Sequence, residues 1–291
     1  MIIKNEYRKF LFPSLIVIGL VAFFPLSYGI ILSFYRKMPV FGVSEFVGME
    51  NIRFLFSDIR FLQSLINTAF FTFISVSLEI FLGFIIALLM NLPLFASRIL
   101  KVLILIPWAI PTVVSAKMWE WIYNGDFGIL NFILLQTGMV DAPVNWLGDR
   151  SWAMMSIIFA DVWKTTPFAA LLLYAGLQTI PGELYESAKM EGAGAFRQIR
   201  YITLPLMMPI ILITAIFRTM DALRVFDLIY VMTGGGPANL TETLSIYAYK
   251  LLFQTLQFGY GSMVSIATFL IIFIFSMIYI IMLNRRFEYL K

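Results

Sequence analysis

Residues 183–209 read ELYESAKMEGAGAFRQIRYITLPLMMP, a charged, glycine-punctuated segment set between two of the most apolar parts of the chain. Pro181 suits a first helical turn, where its missing N–H is not needed. Glu183 and Glu186 then suit the positive end of that helix. Were the helix to run on, Leu184, Ala188, Gly192 and Ala195 would form a narrow small-residue stripe. Gly192 and Gly194 instead predict a bend and two short helices. Arg197 and Arg200 follow before ITLP returns the chain to apolar sequence. Solubility alone requires neither helix signals, nor a bend, nor a small face. Together they predict an element that enters a groove on a partner.

The surrounding sequence sets the solvent. Of 291 residues, 60% are hydrophobic and 13% charged, with 29 Phe and a mean hydropathy of +0.88. Soluble domains run nearer half apolar and a quarter charged, so the expected surroundings are lipid. The absence of cysteine excludes a disulfide framework and thiolate metal sites. The absence of histidine removes the usual proton switch and the commonest metal ligand.

A bilayer core takes about 20 mainly apolar residues per helix. Six stretches qualify: 11–34, 68–90, 101–123, 152–178, 204–231 and 259–283. The first is too long for a signal-peptide core and lacks a small-residue cleavage site, so it is expected to be an anchor. An even number of spans puts both termini on one face. That face would carry Lys4, Arg8, Lys9, Arg98, Lys101, Lys189, Arg197, Arg200, Arg285, Arg286 and Lys291. The other would carry the smaller set of Arg36, Lys37, Arg53, Arg60, Arg150 and Lys250. The positive-inside rule then predicts cytoplasmic termini and a cytoplasmic 183–209 segment, in a multi-pass protein of the plasma or inner membrane. Between the first two spans, Ile52, Leu55, Ile59, Leu62 and Ile66 recur at steps of three and four and predict an amphipathic helix on the outer membrane surface or against other spans. Residues 124–151, with Gly125, Gly128, Pro143 and Gly148, predict a second outer-face element.

Charges inside spans are costly, about 2.5–3.5 kcal/mol each at a helix centre. Asp161, Lys164, Thr165 and Phe168 share one helical face, and Arg218, Asp221, Ala222 and Val225 repeat the spacing. One reading is ion pairs cementing a helix interface, since opposite charges at i,i+3 are neighbours. The other is a polar, water-accessible pocket near the bilayer centre, where transporters commonly bind substrate. Alternating acid and base leaves little net charge there, which suits a neutral, hydroxyl-rich solute. Glu79, Lys117, Glu120, Arg224 and Asp227 are weaker candidates, the last four because helix ends permit snorkelling. Pro107 and Pro111 in IPWAIP are expected to kink the third span.

The run ESAKMEGAGAFRQIRYITLP resembles the EAA loop of membrane subunits in binding-protein-dependent ABC importers. The family pattern, E-A-A, three residues, G, nine residues, I-x-L-P, is met by Glu186, Ser187, Ala188, Gly192, Ile202, Leu204 and Pro205, with Ser187 in place of the first alanine. IPWAIP, DVWKTTPFAALLLYAGLQTIP and VFDLIYVMTGGGP extend the likeness from about residue 67 to the C-terminus. It is nearest to the sugar-importer branch, in particular the first of two permeases beside maltose and glycerol-3-phosphate binding proteins. The resemblance implies an all-α, six-helix type I importer permease fold. Residues 1–66 would supply the N-terminal tail, first span and outer amphipathic segment, and residues 67–291 a five-helix core with its coupling loop at 181–205. It further implies a permease that imports a sugar or polyol. The implied partners are a second, different permease, two ATPase copies that bind the ATP, an extracytoplasmic binding protein and membrane lipid, but no nucleic acid. In this reading Glu186, Ser187, Ala188, Gly192 and Ala193 meet the ATPase. Asp161, Lys164, Thr165, Phe168, Arg218, Asp221, Ala222 and Val225 fall at the family's sugar contacts. No cofactor is implied for this chain, which has no G-x-x-x-x-G-K-[ST] phosphate loop and so is expected not to be an enzyme. An ion-coupled carrier using Asp161 or Glu79 is the alternative. A membrane enzyme has no nucleophile–base pair to support it.

Overall fold

The computed structural model describes residues 3–92, 99 and 101–289, with side chains for 11–92, 99 and 101–283. The side chains of Lys4, Arg8, Lys9, Arg98, Arg285, Arg286 and Lys291, which carry much of the expected charge asymmetry, lie outside that set. Helix α1 (Ile3–Ile18) passes through a π turn (Gly19–Phe23) into α2 (Phe24–Ser33). Strands β1 (Tyr35–Met38) and β2 (Val43–Phe46) follow, then α3 (Glu50–Ser57) and α4 (Ile59–Met90). Next come α5 (Lys101–Ala109) and α6 (Thr112–Ile122), α7 (Ile129–Gln136) and α8 (Ala153–Leu177). After α9 (Gly182–Met190), α10 (Ala195–Gln198) runs through a π turn (Ile199–Thr203) into α11 (Leu204–Leu223). The chain ends with α12 (Asp227–Met232), α13 (Leu244–Tyr249) and α14 (Phe258–Tyr289).

Among the described residues, five continuous helices are long and apolar enough to cross a membrane: Leu11–Ser33, Ile59–Met90, Ala153–Leu177, Ala195–Leu223 and Phe258–Leu283. The pair α5 and α6, bent by 92°, makes a sixth if counted as one span. The break falls at Ile110 and Pro111, both extended. Pro111 drives the preceding residue out of helical conformation and removes a donor, so the kink expected from IPWAIP is a full break.

By internal contacts the chain forms two units, Met1–Gln63 with Leu244–Leu270 and Ser64–Thr243 with Ile271–Lys291. In the second unit α8 is the axis, with 67% of its span window buried against 33% for α4 and 28% for Ala195–Leu223. It packs against α5 and α11, while α12 lies on α6. Ala87, Leu173, Leu177 and Met207 form a buried cluster flanked by Phe84, Tyr174 and Ile210. Lipid tails are as apolar as leucine, so close packing rather than water exclusion must hold these helices. Gly83 permits it: a Cβ there would stand 3.1 Å from the Ala169 Cβ and the Ala170 nitrogen. In the 124–151 segment, buried Asn131 is the organiser. Its amide oxygen accepts from the Val144 N–H (3.2 Å) and the Trp146 Nε1 (2.9 Å), and its Nδ2 donates to the Gly125 and Val144 carbonyls.

Two expectations are corrected. The fifth span stops at Leu223, not Val231. Arg224 and Phe226 both leave helical geometry, while the Thr243 hydroxyl donates to the Val225 carbonyl at 3.3 Å. Arg224 caps the end of that span as expected, whereas Asp227 opens the next helix instead of ending this one. The amphipathic helix through Ile52–Ile66 is also not continuous. Asp58 interrupts it with ψ 103°, and its Oδ1 accepts the Arg60 N–H at 2.9 Å, starting α4 as an N-cap. Leu55 is buried, whereas Ile59 and Ile66 are exposed on α4.

In the first unit, β1 and β2 pair antiparallel, Tyr35 opposite Phe46, and Asn51 Nδ2 donates to the Ser33 and Tyr35 carbonyls at 2.8 and 3.0 Å. Asp58 Oδ2 accepts two phenols, Tyr247 at 2.6 Å and Tyr260 at 2.5 Å. The Arg60 guanidinium lies 5.0 Å over the Tyr247 ring. Burial pushes the Asp58 carboxyl up. The Tyr247 and Tyr260 hydroxyls and the Arg60 and Phe61 amides outweigh it and hold the group below the usual carboxylate range. A depressed folded-state pKa gives stability that is complete above the unfolded carboxylate's, near about 3.9, and lost as pH falls through the folded value. Asp58→Asn should therefore lower stability near neutrality by about 1–3 kcal/mol. It should also flatten the acid limb below about pH 4, both read from thermal midpoints of the purified protein across pH. Identical acid limbs for variant and wild type would count against this account.

Candidate functional site

A polar stripe on α4 supplies the first wall. Thr68, Thr72, Ser75 and Glu79 stand four, three and four residues apart, and all are buried, one face of a helix. Glu79 is wholly enclosed. From α11, Arg218 meets it as a fork, Nε to Oε2 at 2.5 Å and Nη2 to Oε1 at 3.2 Å. Charge-assisted bidentate pairs of this kind are among the strongest side-chain hydrogen bonds. Around Arg218 stand two more carboxylates, Asp161 Oδ2 at 3.9 Å and Asp221 Oδ2 at 3.3 Å. Asp221 is half-exposed and also takes Arg224 Nη2 at 2.6 Å.

Helix α8 supplies the remaining wall. The Thr165 hydroxyl lies 2.8 Å from Glu79 Oε1 and 2.6 Å from the Asp161 carbonyl oxygen, two acceptors for one proton. Among the described residues buried Lys164 hydrogen-bonds only the Trp108 carbonyl, at 3.5 Å, a long contact with capacity to spare. Asp161 Oδ2 is buried and accepts no hydrogen bond among the described residues. Trp108, at the end of α5 beside the break, stacks on Phe168 with ring centroids 5.8 Å apart and planes 21° from parallel. Non-helical backbone at membrane depth is tolerated where protein or a watered cavity surrounds it.

The cluster thus joins Lys164, Arg218 and Arg224 with Glu79, Asp161 and Asp221, charge for charge. Chemically it offers an acceptor (Asp161 Oδ2), a donor (Lys164 Nζ) and an aromatic face (Trp108, Phe168) in a setting of little net charge.

Of the residues singled out from sequence, Asp161, Lys164, Thr165, Arg218 and Asp221 are tied into this constellation by hydrogen bonds and ion pairs, and Phe168 adjoins it through Trp108. Ala222 is buried beside Asp221 on α11. Val225 lies past the helix end, so the second face does not repeat the first along its full length. Sequence spacing ranked Glu79 too low: it is the central anion, and the four–three–four stripe above it was the available signal. Trp108 carried no signal beyond its place between two prolines. Lys117 and Glu120 pair with each other at 2.7 Å on an exposed surface.

The 183–209 segment has the expected bend. Gly192 adopts φ +78°. Its N–H bonds the Lys189 carbonyl at 3.0 Å, and the Ala193 N–H bonds the Ala188 carbonyl at 2.8 Å, a Schellman closure that requires a left-handed residue. Pro181 stands just outside α9 in extended geometry rather than in its first turn. Gln198 Nε2 holds the Ala193 carbonyl at 2.8 Å, and the Tyr185 and Thr203 hydroxyls lie 2.9 Å apart. Glu186 and Ser187 are exposed, with Met190 at 90% and Phe196 at 80%. Such side chains in contact with water mark an interaction surface.

Removing one partner of a buried ion pair costs about 3–5 kcal/mol, because the other charge is stranded. Glu79→Leu should therefore lower the thermal midpoint of the purified protein sharply, and Glu79→Leu with Arg218→Met should recover most of the loss. A double variant no more stable than the single would refute the pairing.

Comparison with known proteins identifies the chain's relatives. The family of the binding-protein-dependent transport system inner membrane component matches residues 79–288. The trehalose/maltose transport system permease protein MalF of Thermococcus litoralis is 43% identical over 95% of both chains. The sulfoquinovosyl glycerol transport system permease protein SmoG of Agrobacterium fabrum is 35% identical, over 94% of this chain and 89% of that one. Among solved structures, a chain of a bacterial ABC transporter involved in import of the acidic polysaccharide alginate superimposes with a TM-score of 0.83 over 97% of each chain, at 22% identity.

Proposed function

This chain belongs to the family of binding-protein-dependent transport system inner membrane components, and from that membership we propose that it forms, with a second and different permease, the membrane path of an ATP-driven sugar importer. Relatives named for trehalose/maltose and for sulfoquinovosyl glycerol support a hydroxyl-rich cargo. Two copies of an ATPase on the cytoplasmic side drive it, an extracytoplasmic binding protein delivers the solute, and both termini are cytoplasmic. The coupling surface is Glu186, Ser187, Ala188, Gly192 and Ala193. The solute contacts come from Asp161, Lys164, Thr165 and Phe168 on α8 and from Arg218, Asp221, Ala222 and Val225 at α11. Family membership counts against the ion-coupled carrier.

The observation that carries this reading is the buried, charge-balanced cluster on the two helices that flank the bent loop. Helix α8 ends at Leu177, five residues before α9 begins, and the chain is helical from Ala195 to Leu223. A rotation of the loop by its ATPase is therefore delivered to both walls of the cluster. A neutral sugar gains from such a lining: carboxylates accept its hydroxyls, ammonium and guanidinium donate, and an aromatic face covers its apolar ring face. Lost charge-assisted hydrogen bonds cost about 1.5–3 kcal/mol each. Lys164→Met and Asp161→Leu should thus weaken sugar uptake about 10- to 100-fold through KM. The assay is proteoliposomes holding both permeases and the ATPase, with ATP inside and binding protein outside. Gly192→Pro cannot hold φ +78°. It should leave basal ATP hydrolysis intact while abolishing its stimulation by loaded binding protein. Normal uptake in that variant would sink the coupling assignment.

A further inference from the structure

The unit of Met1–Gln63 with Leu244–Leu270 contains a cavity of about 420 Å³ lined in part by Arg36, Lys37, Glu50, Arg53, Phe54 and Tyr260. That size falls within the range of small-molecule sites, roughly 300–1,000 Å³. We propose that it is a binding site for the phosphate-bearing headgroup of an anionic membrane lipid, on the membrane face where the first span ends.

Charge points to an anion. Arg36 is paired with Glu50, the one carboxylate named in the lining. Among the described residues Lys37 has only the neutral Tyr28 phenol, 3.4 Å from its ammonium and with the ring 5.9 Å away. Arg53 is exposed, and its guanidinium has no hydrogen bond or ion pair among the described residues. Two positive charges therefore remain uncompensated around one hollow.

Position points to a lipid rather than a soluble anion or a protein carboxylate. The first span ends at Ser33 and the last begins at Phe258. The lining starts at Arg36 and includes Gln257 and Tyr260. Three residues of extended chain reach about 10 Å, so the cations stay within or just outside the headgroup layer, which adds about 5–8 Å on each side of the hydrocarbon. The hairpin and α3 beside them carry large apolar side chains in the open: Val40 at 64%, Phe41 at 74%, Phe46 at 69% and Phe54 at 53% exposed. Surrounded by water these would be a liability, whereas at the acyl boundary they are anchors. Phe54 lines the cavity itself, so one site presents cations to a headgroup and an apolar wall to its chains.

The test is native mass spectrometry of the intact transport complex in detergent, offered phosphatidylglycerol, phosphatidylcholine or inorganic phosphate. The wild-type complex should retain phosphatidylglycerol over phosphatidylcholine. Retention should fall about fivefold for each charge removed in Lys37→Ala and Arg53→Ala, while millimolar inorganic phosphate should not displace the lipid. Arg53→Gln, at an exposed position, carries the test should the double variant fail to assemble. Equal retention by variant and wild type overturns the proposal. So does displacement by inorganic phosphate, which would make this a free-anion site. Unchanged lipid retention with weakened stimulation by binding protein would likewise overturn it, in favour of an acidic protein surface.

Discussion

A guanidinium in hydrocarbon must bring its anion with it, and Arg218 brings Glu79. Their fork, 2.5 and 3.2 Å, leaves α4 and α11 almost no freedom to slide, since one residue of slip carries a side chain to another face of its helix. Gly83, one turn beyond Glu79, lets α4 lie against α8 at the closeness the fork requires. The remaining charges follow from this pair. Asp161 and Asp221 bring further negative charge to the same guanidinium, and Arg224 and Lys164 restore the balance. Hydrocarbon, by supplying no partners of its own, dictates a closed set of charges.

Closed does not mean saturated. Among the described residues Asp161 Oδ2 is without a donor and Lys164 is held only at 3.5 Å, so the α8 side retains hydrogen-bonding capacity that the Arg218 side has spent. This asymmetry divides the cluster into a clasp and a receptive edge. In the proposed importer the clasp keeps the walls in register and the edge meets the cargo. In the same proposal α8 and α11, which flank the bent loop, serve as the levers as well as the walls.

Hydropathy made the spans legible, because about 20 consecutive apolar residues have few other uses. IPWAIP announced the broken third span, and Gly192 with Gly194 announced the bend. Less was visible wherever a local pattern yielded to a distant partner. The period of three and four from Ile52 to Ile66 ran straight through Asp58, because periodicity does not register a carboxylate that caps α4 and collects hydroxyls from Tyr247 and Tyr260. The end of α11 depended on Thr243, eighteen residues beyond Val225. Glu79 looked minor because its partner lies 139 residues away, whereas Arg218 and Asp221 advertised each other at i,i+3. Its importance was recoverable only from the company of Thr68, Thr72 and Ser75.

The turn at Gly192 is drawn by main-chain hydrogen bonds from Gly192 and Ala193 to Lys189 and Ala188. The side chains of Glu186, Met190 and Phe196 contribute nothing to its outline. Shape and vocabulary are therefore written in different atoms. A descendant of this chain could exchange every outward group on the loop, and with them the partner that the proposed coupling requires, while the elbow kept its form. The glycine, and the Gln198 amide that holds the Ala193 carbonyl, would have to be inherited unchanged.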